Sequence, residues 1–136
     1  MAVIDATGLV IGRLATNVAK RALKGEQIDI VNAEKAIVIG SRESILETYK
    51  QKYYVGGVRK GPWYSRMPDK ILKRTIRGMI PYRTGHGAEA LDRVKVYIGC
   101  PKGYDASKFQ TVDEAKKSPV RFMTVGDISK ELGVKF

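Results

Sequence analysis

Between Gly12 and Lys24 the apolar residues Leu14, Ala15, Val18, Ala19 and Ala22 recur at steps of three and four, the period of a helix with one buried face. Gly25 supplies the stop. Ahead of this helix, Val3-Ile4-Asp5-Ala6 is a short apolar stretch closed by a turn at Thr7-Gly8. Two β-branched runs follow, Ile28–Val31 and Ala36–Ile39, separated by Asn32, Glu34 and Lys35; each predicts a buried strand. Ser41 offers an N-cap for a second helix that carries Ile45, Leu46, Tyr49 and Tyr53 along one side. Residues 55–67 hold three glycines and a proline and keep no period. That is a long loop, and loops of this length are usually functional or disordered.

A third helix is predicted from about Pro68 to Met79, with Pro81 to end it. A short helix at 86–92 leads into the alternating strand Val94–Ile98. The tail holds turns from Gly99 to Gly103, a capping box at Thr111 and Glu114, and a closing helix near 127–132. Strands separated by helices favour an α/β layered domain with a mostly parallel sheet. The whole chain, 1–136, reads as one domain, with a basic loop-helix region at about 48–88 and a C-terminal extension at about 104–136.

Composition narrows the chemistry. No apolar run is long enough to cross a bilayer, and the N-terminus lacks the basic start and apolar stretch of a signal peptide. A soluble cytoplasmic protein with no membrane partner is the expectation. Lone Cys100 and lone His86 offer neither a disulfide nor a zinc set, and a catalytic thiol would need a base beside it. Gly8-Leu-Val-Ile-Gly12 joins a strand to a helix, where phosphate loops lie, but it is neither a Walker A sequence nor GxGxxG. The acidic residues are scattered and form no acid/base pair. No catalytic residue, metal site, cofactor or small-molecule substrate is expected.

Charge changes the picture most. Between Thr48 and Ala88 ten basic residues face a single acid, Asp69, so +9 of the net +11 lies in this stretch. They are Lys50, Lys52, Arg59, Lys60, Arg66, Lys70, Lys73, Arg74, Arg77 and Arg83. In the third helix Lys70, Lys73, Arg74 and Arg77 share one face, opposite Ile71, Leu72, Thr75, Ile76 and Met79. A merely solvated face would mix in Glu for pairing one turn away. Four like charges within two turns repel, which makes better sense if a polyanion neutralises them. Because Lys73, Arg74 and Arg77 lie opposite the apolar face, reversing their charge is expected to spare the fold. Arg13, Lys20, Arg21 and Lys24 line the polar side of the first helix, again without an acid. Six of the eleven aromatics fall in the basic third. Tyr49 and Tyr53 sit at helical spacing and read as core, whereas Trp63 and Tyr64, in the loop, are candidates for stacking on RNA bases.

Several segments together resemble a known family. Asp5-Ala-Thr-Gly8, Gly12-Arg-Leu-Ala15, Val31-Asn-Ala-Glu-Lys35 with Gly40, Gly78-Met-Ile-Pro81, and Lys95-Val-Tyr97 with Gly99 are similar to the universal large-subunit ribosomal protein L-thirteen (L13). They occur in the family's order over about residues 3–103 and resemble its archaeal and eukaryotic branch. The resemblance implies a three-layer α/β/α domain with a four-stranded, mostly parallel sheet. It implies a structural constituent of the large ribosomal subunit that binds rRNA directly and supports early assembly. Neighbouring large-subunit ribosomal proteins, the L-three type foremost, are the implied protein partners, and no enzymatic activity is implied. Composition alone leaves two other readings open: a free-standing RNA-binding translation-control module and a small nucleotide-dependent α/β enzyme.

Overall fold

The protein is described by a computed structural model covering residues 2–57 and 59–135; Met1, Val58 (within the expected loop) and Phe136 lie outside the described residues. The chain runs β1 (Ala2–Asp5), α1 (Ile11–Leu23), β2 (Ile28–Val31), β3 (Ile37–Ile39), α2 (Arg42–Tyr54), α3 (Pro68–Arg77), α4 (Gly85–Asp92), β4 (Val94–Val96), β5 (Phe122–Thr124) and α5 (Val125–Glu131). The class is α/β. Strands β1, β2 and β4 form a parallel sheet in the order β1-β2-β4, with Ile4 opposite Ile30 and Ile28 opposite Val94.

Alternation along these strands divides the two faces of the sheet. Ile4, Ile28, Ile30 and Val94 join one hydrophobic cluster with Leu14, Val18 and Ala22 of α1 and with Ile71, Leu72 and Ile76 of α3. Asp29 points to the other face, where its carboxylate is buried and accepts a hydrogen bond from the Tyr104 hydroxyl. Tyr104 in turn tilts against Tyr97, ring centroids 5.9 Å apart, so the irregular chain after β4 covers this side.

The mostly parallel sheet read from the strand-helix order is present with three strands, and the fourth strand implied by the family resemblance is corrected. Strand β3 does not join β1, β2 and β4; it forms a separate antiparallel ribbon with β5, Val38 opposite Met123. It touches the continuation of β1 only through an isolated bridge between Val10 and Ile37. Its run is also less buried than expected: Ile37 is inside, but Ile39 is 42% exposed. The later segment Phe122–Thr124 supplies its ladder instead, and the Ala36 carbonyl just before β3 accepts from the Val125 amide.

Helix α1 keeps the predicted face, with Leu14, Ala15, Val18, Ala19 and Ala22 buried. The guanidinium of Arg93 donates to the Ala22 carbonyl at 3.1 Å, beside the Gly25 amide that the same oxygen accepts, and so ties the end of α1 to the start of β4. Helix α2 starts as predicted, the Ser41 hydroxyl accepting from the Ser44 amide. Helix α3 opens on Pro68, whose missing N–H costs nothing in the first turn. It ends at Arg77, short of the predicted Met79. Met79 stands 42% exposed in the following turn, its sulfur accepting from the Thr16 hydroxyl of α1 at 3.4 Å, and Ile80 is buried instead. The Gly78–Pro81 segment then turns tightly against α4. A Cβ on Gly87 would sit 1.8 Å from the Pro81 carbonyl oxygen, so only glycine admits this approach.

The tail is woven through the fold. The Gln110 amide donates to Val3 and its carbonyl accepts from Asp5, which covers the free edge of β1. The expected capping box at Thr111 and Glu114 does not form. Asp113–Ala115 is a single 3-10 turn preceded by Val112, with no side-chain cap, and one turn offers too few orphan amides to reward a box. Helix α5 begins two residues earlier than predicted because Thr124 caps it, accepting from the Asp127 amide. Val125, Ile128 and Leu132 belong to the central cluster, and Arg42 pairs with Glu131 at 2.6 Å to tie α2 to α5.

Truncating a fully buried isoleucine removes its transfer energy and leaves a cavity. Ile128→Ala is therefore expected to cost about 2–5 kcal/mol, read as a lower urea midpoint in equilibrium unfolding. An unchanged midpoint would mean that the tail docks without stabilising the core.

Candidate nucleic-acid interface

In open parallel sheets ligands bind beyond the carboxyl ends of the strands. Here that region is filled by the protein's own polar groups. Asp5 Oδ1 accepts from the Thr7 amide at 3.0 Å, from the Thr7 hydroxyl, and from Asn32 Nδ2 at 3.1 Å. Asn32, in the left-handed conformation that asparagine tolerates, donates its amide to Gly99, and the Gly99 amide donates to Glu34 Oε2 at 2.9 Å. These are the motif residues that carry the family resemblance. Their work is to knot the ends of β1, β2 and β4 together. Burial opposes ionisation of Asp5, but the hydrogen bonds from Thr7 and Asn32 outweigh it and hold the carboxyl below its ordinary range. The amides of Gly8 and Val10 are likewise spent, on Lys35 and Ala115.

The basic residues gather elsewhere, along α3 and the loop before it. Burial of Ile71, Leu72 and Ile76 fixes the rotation of α3 and turns its cations outward. Lys70, Lys73, Arg74 and Arg77 line a groove of about 290 Å³ together with Trp63, Ser65 and Leu91. Among the described residues no carboxylate lines it. Trp63 forms one wall and is 69% exposed. Arg74 is bound inward: its Nη1 donates to the Trp63 carbonyl at 3.0 Å and its guanidinium lies 4.3 Å from the centroid of the Tyr64 ring. Reversing its charge would therefore disturb the loop as well as the electrostatics, contrary to the sequence expectation.

Tyr64 packs inward, edge-on to Tyr49 at 6.3 Å, rather than standing free in the loop. Burial pushes the Tyr49 hydroxyl up to about 12 and raises that of Tyr64, the latter against the opposing charge of Arg74. Lys52 lies over both rings, and Arg66 lies over Tyr53 while reaching the Leu132 carbonyl at 3.5 Å. Arg77 and Arg83 both lie over Tyr82, from opposite ends of the turn that follows α3. Lys50, Arg59 and Lys60 are exposed on α2 and the loop, whose neck is closed by reciprocal backbone bonds between Gly57 and Gly61.

On α1 and at its C-cap, Arg13, Lys20 and Lys24 are exposed, Arg13 within 3.4 Å of the Glu114 carbonyl. Arg21 differs from its neighbours. It is half-buried, pairs with Glu26 (Nε to Oε2, 2.8 Å), and contacts Gln110, and its guanidinium holds the Glu26 carboxyl below the usual range. Sequence reasoning missed Ser65, Leu91 and Tyr82. Leu91 comes from α4, and no local pattern announces that it will floor a groove on α3. Tyr82 was visible as an aromatic within the basic stretch, but not as the seat of two arginines.

The comparisons with known proteins bear on this arrangement. The family profile described as "Ribosomal protein L13" matches residues 1–103. The chain belongs to the ribosomal protein L13 family. Archaeal relatives named "Large ribosomal subunit protein uL13" are 46% identical over all of both chains in Methanococcoides burtonii and 47% over all of both in Methanocaldococcus jannaschii. The Thermoplasma acidophilum relative is 46% identical over 98% of each chain. The L13 family consists of structural ribosomal proteins, not enzymes. The profile ends at Gly103, whereas these L13 relatives align through the tail as well.

The knot at Asp5 gives a pH test. A carboxyl depressed in the folded state contributes stability above its unfolded value, near 3.8, and loses it as pH falls through the folded value. Asp5→Asn should lower the melting temperature at neutral pH. The gap from wild type should narrow in acid, where wild type loses its ionised carboxylate too. A gap that stays constant into strong acid would show that the charge of Asp5 contributes nothing.

Proposed function

We propose that this chain is a structural constituent of the large ribosomal subunit, in the cytoplasm, that binds rRNA directly and supports early subunit assembly. The observation that carries the RNA-binding reading is the groove of Lys70, Lys73, Arg74 and Arg77 beside exposed Trp63, with no carboxylate among the described residues that line it. Membership of the L13 family supplies the ribosomal setting. Arg59, Lys60, Lys50, Lys52, Arg66 and Arg83 extend the positive surface around the loop, and Arg13, Lys20 and Lys24 offer a second basic line on α1. Arg21 and Tyr64 join this reading as supports rather than as free contacts, because their polar or aromatic faces already have partners. Neighbouring large-subunit proteins, an L-three type among them, are the further partners of this reading.

Phosphate neutralisation releases counterions, so affinity falls with salt in proportion to the contacts made. Replacing Lys70, Lys73 and Arg77 together by Gln, with Arg74 left to hold the loop, should weaken binding to a large-subunit rRNA fragment. The slope of log affinity against log salt should become shallower by about two to three. Wild-type affinity and slope would mean that this face is merely solvated. In cells, the protein should cosediment with large subunits through a high-salt wash. Recovery solely from the soluble fraction would overturn the ribosomal assignment.

A further inference from the structure

The groove on α3 is more than a charged surface. It has a flat aromatic wall, an apolar contact from Leu91, and cations on the side that Trp63 leaves open. Phosphate itself gains nothing from an aromatic plane such as the 69% exposed indole beside these four cations. A nucleobase does gain from one. The indole is also held ready. Its six-membered ring lies back on Gly61, where a Cβ would come within 3.1 Å of the ring, and Gly61 has φ +74, a conformation that side chains disfavour. From the other direction Arg74 grips the Trp63 carbonyl. The loop is thus fastened on both sides of the tryptophan while the ring stays accessible.

We propose that this groove seats one unpaired nucleotide of RNA, its base stacked on Trp63 and its phosphate held by Lys70, Lys73 and Arg77. A paired base inside a duplex cannot present its face to the indole, so the groove selects single-stranded or bulged RNA. This rests on the RNA-binding reading above and adds to it a preference that charge alone cannot give.

Trp63 is the sole tryptophan in the chain, so its fluorescence reports the groove directly. The full-length protein is titrated with a short oligoadenylate, with an abasic ribose-phosphate oligomer of the same charge, with a blunt RNA duplex, and with adenosine monophosphate. Oligoadenylate should quench the fluorescence and bind most tightly; the abasic oligomer and the duplex should bind without quenching. Trp63→Ala, measured by filter binding, should weaken oligoadenylate binding roughly five- to a hundredfold and leave the abasic oligomer unaffected. Lys73→Gln should weaken both and make both less salt-dependent.

Equal affinity for oligoadenylate and the abasic oligomer, with no quenching, would overturn the nucleotide seat and leave the RNA-binding reading standing. Equal quenching by the duplex would overturn it too. Monophosphate binding as tight as oligoadenylate would reassign the groove to free nucleotides. If none of the oligomers binds in a salt-dependent way, the seat and the RNA-binding reading fall together.

Discussion

The rotation of α3 is the constraint on which the interface depends. Ile71, Leu72 and Ile76 are completely buried against α1 and the sheet, and each contributes about 1.5–3 kcal/mol through that burial. Any rotation that keeps them inside places Lys70, Lys73, Arg74 and Arg77 on the opposite side of the helix, from which Arg74 reaches back to the loop. The core therefore aims the charge. Four cations are forced onto one side of a ten-residue helix because three aliphatic side chains occupy the other.

Concentrating like charges costs energy, and the way it is offset bears on function. Two unit charges about 6 Å apart in water repel by roughly 0.7 kcal/mol. Carboxylates would cancel this, but they would also cancel the field presented to a polyanion. The protein uses aromatic rings instead. Arg74 lies over Tyr64, Arg77 and Arg83 over Tyr82, Lys52 over Tyr49 and Tyr64, and Arg66 over Tyr53. Each exposed contact of this kind stabilises by about 0.5–1 kcal/mol, enough to match the repulsion, while leaving the positive charge intact. The aromatics of the basic third are divided by this role. Tyr49, Tyr53, Tyr64 and Tyr82 serve as seats for cations, Tyr54 packs edge-on against Tyr53, and Trp63 presents its ring to the groove.

The helices were legible because their signals are local. The three- and four-residue step of Leu14, Ala15, Val18 and Ala22, the Ser41 cap and the Pro68 start are all written within a turn or two of where they act. The stripe on α3 was legible for the same reason. The parallel core of the sheet was legible too, but the pairing of β3 was not, because a three-residue strand such as Ile37–Ile39 carries no mark of its partner, and Phe122–Thr124 lies more than eighty residues away. The interface was half legible: periodicity placed its cations, but the inward turn of Tyr64 and the reach of Arg74 to Trp63 depend on loop geometry that no pattern encodes. Arg21 escaped for a related reason. Its place in a basic line was plain, whereas its partners, Glu26 past the end of the helix and Gln110 in the tail, come together only in the fold.

The tail shows why a family signature and a folding unit need not have the same limits. The L13 profile ends at Gly103, yet the chain to that point would lack much that the core requires. The edge of β1 would lose the backbone of Gln110, β3 would lose its ladder partner β5, and Asp29 would be left with a buried carboxylate and no Tyr104 to bond it. Val125, Ile128 and Leu132 would vanish from the cluster into which α3 packs. A naked edge strand invites pairing with other chains, and an unbonded buried carboxylate is costly. The archaeal relatives align through these residues, consistent with a physical need for them. Because α5 and α3 meet in the same cluster, the tail also supports the helix that aims the charge. The basic surface thus depends on residues far beyond the motifs that identify the family.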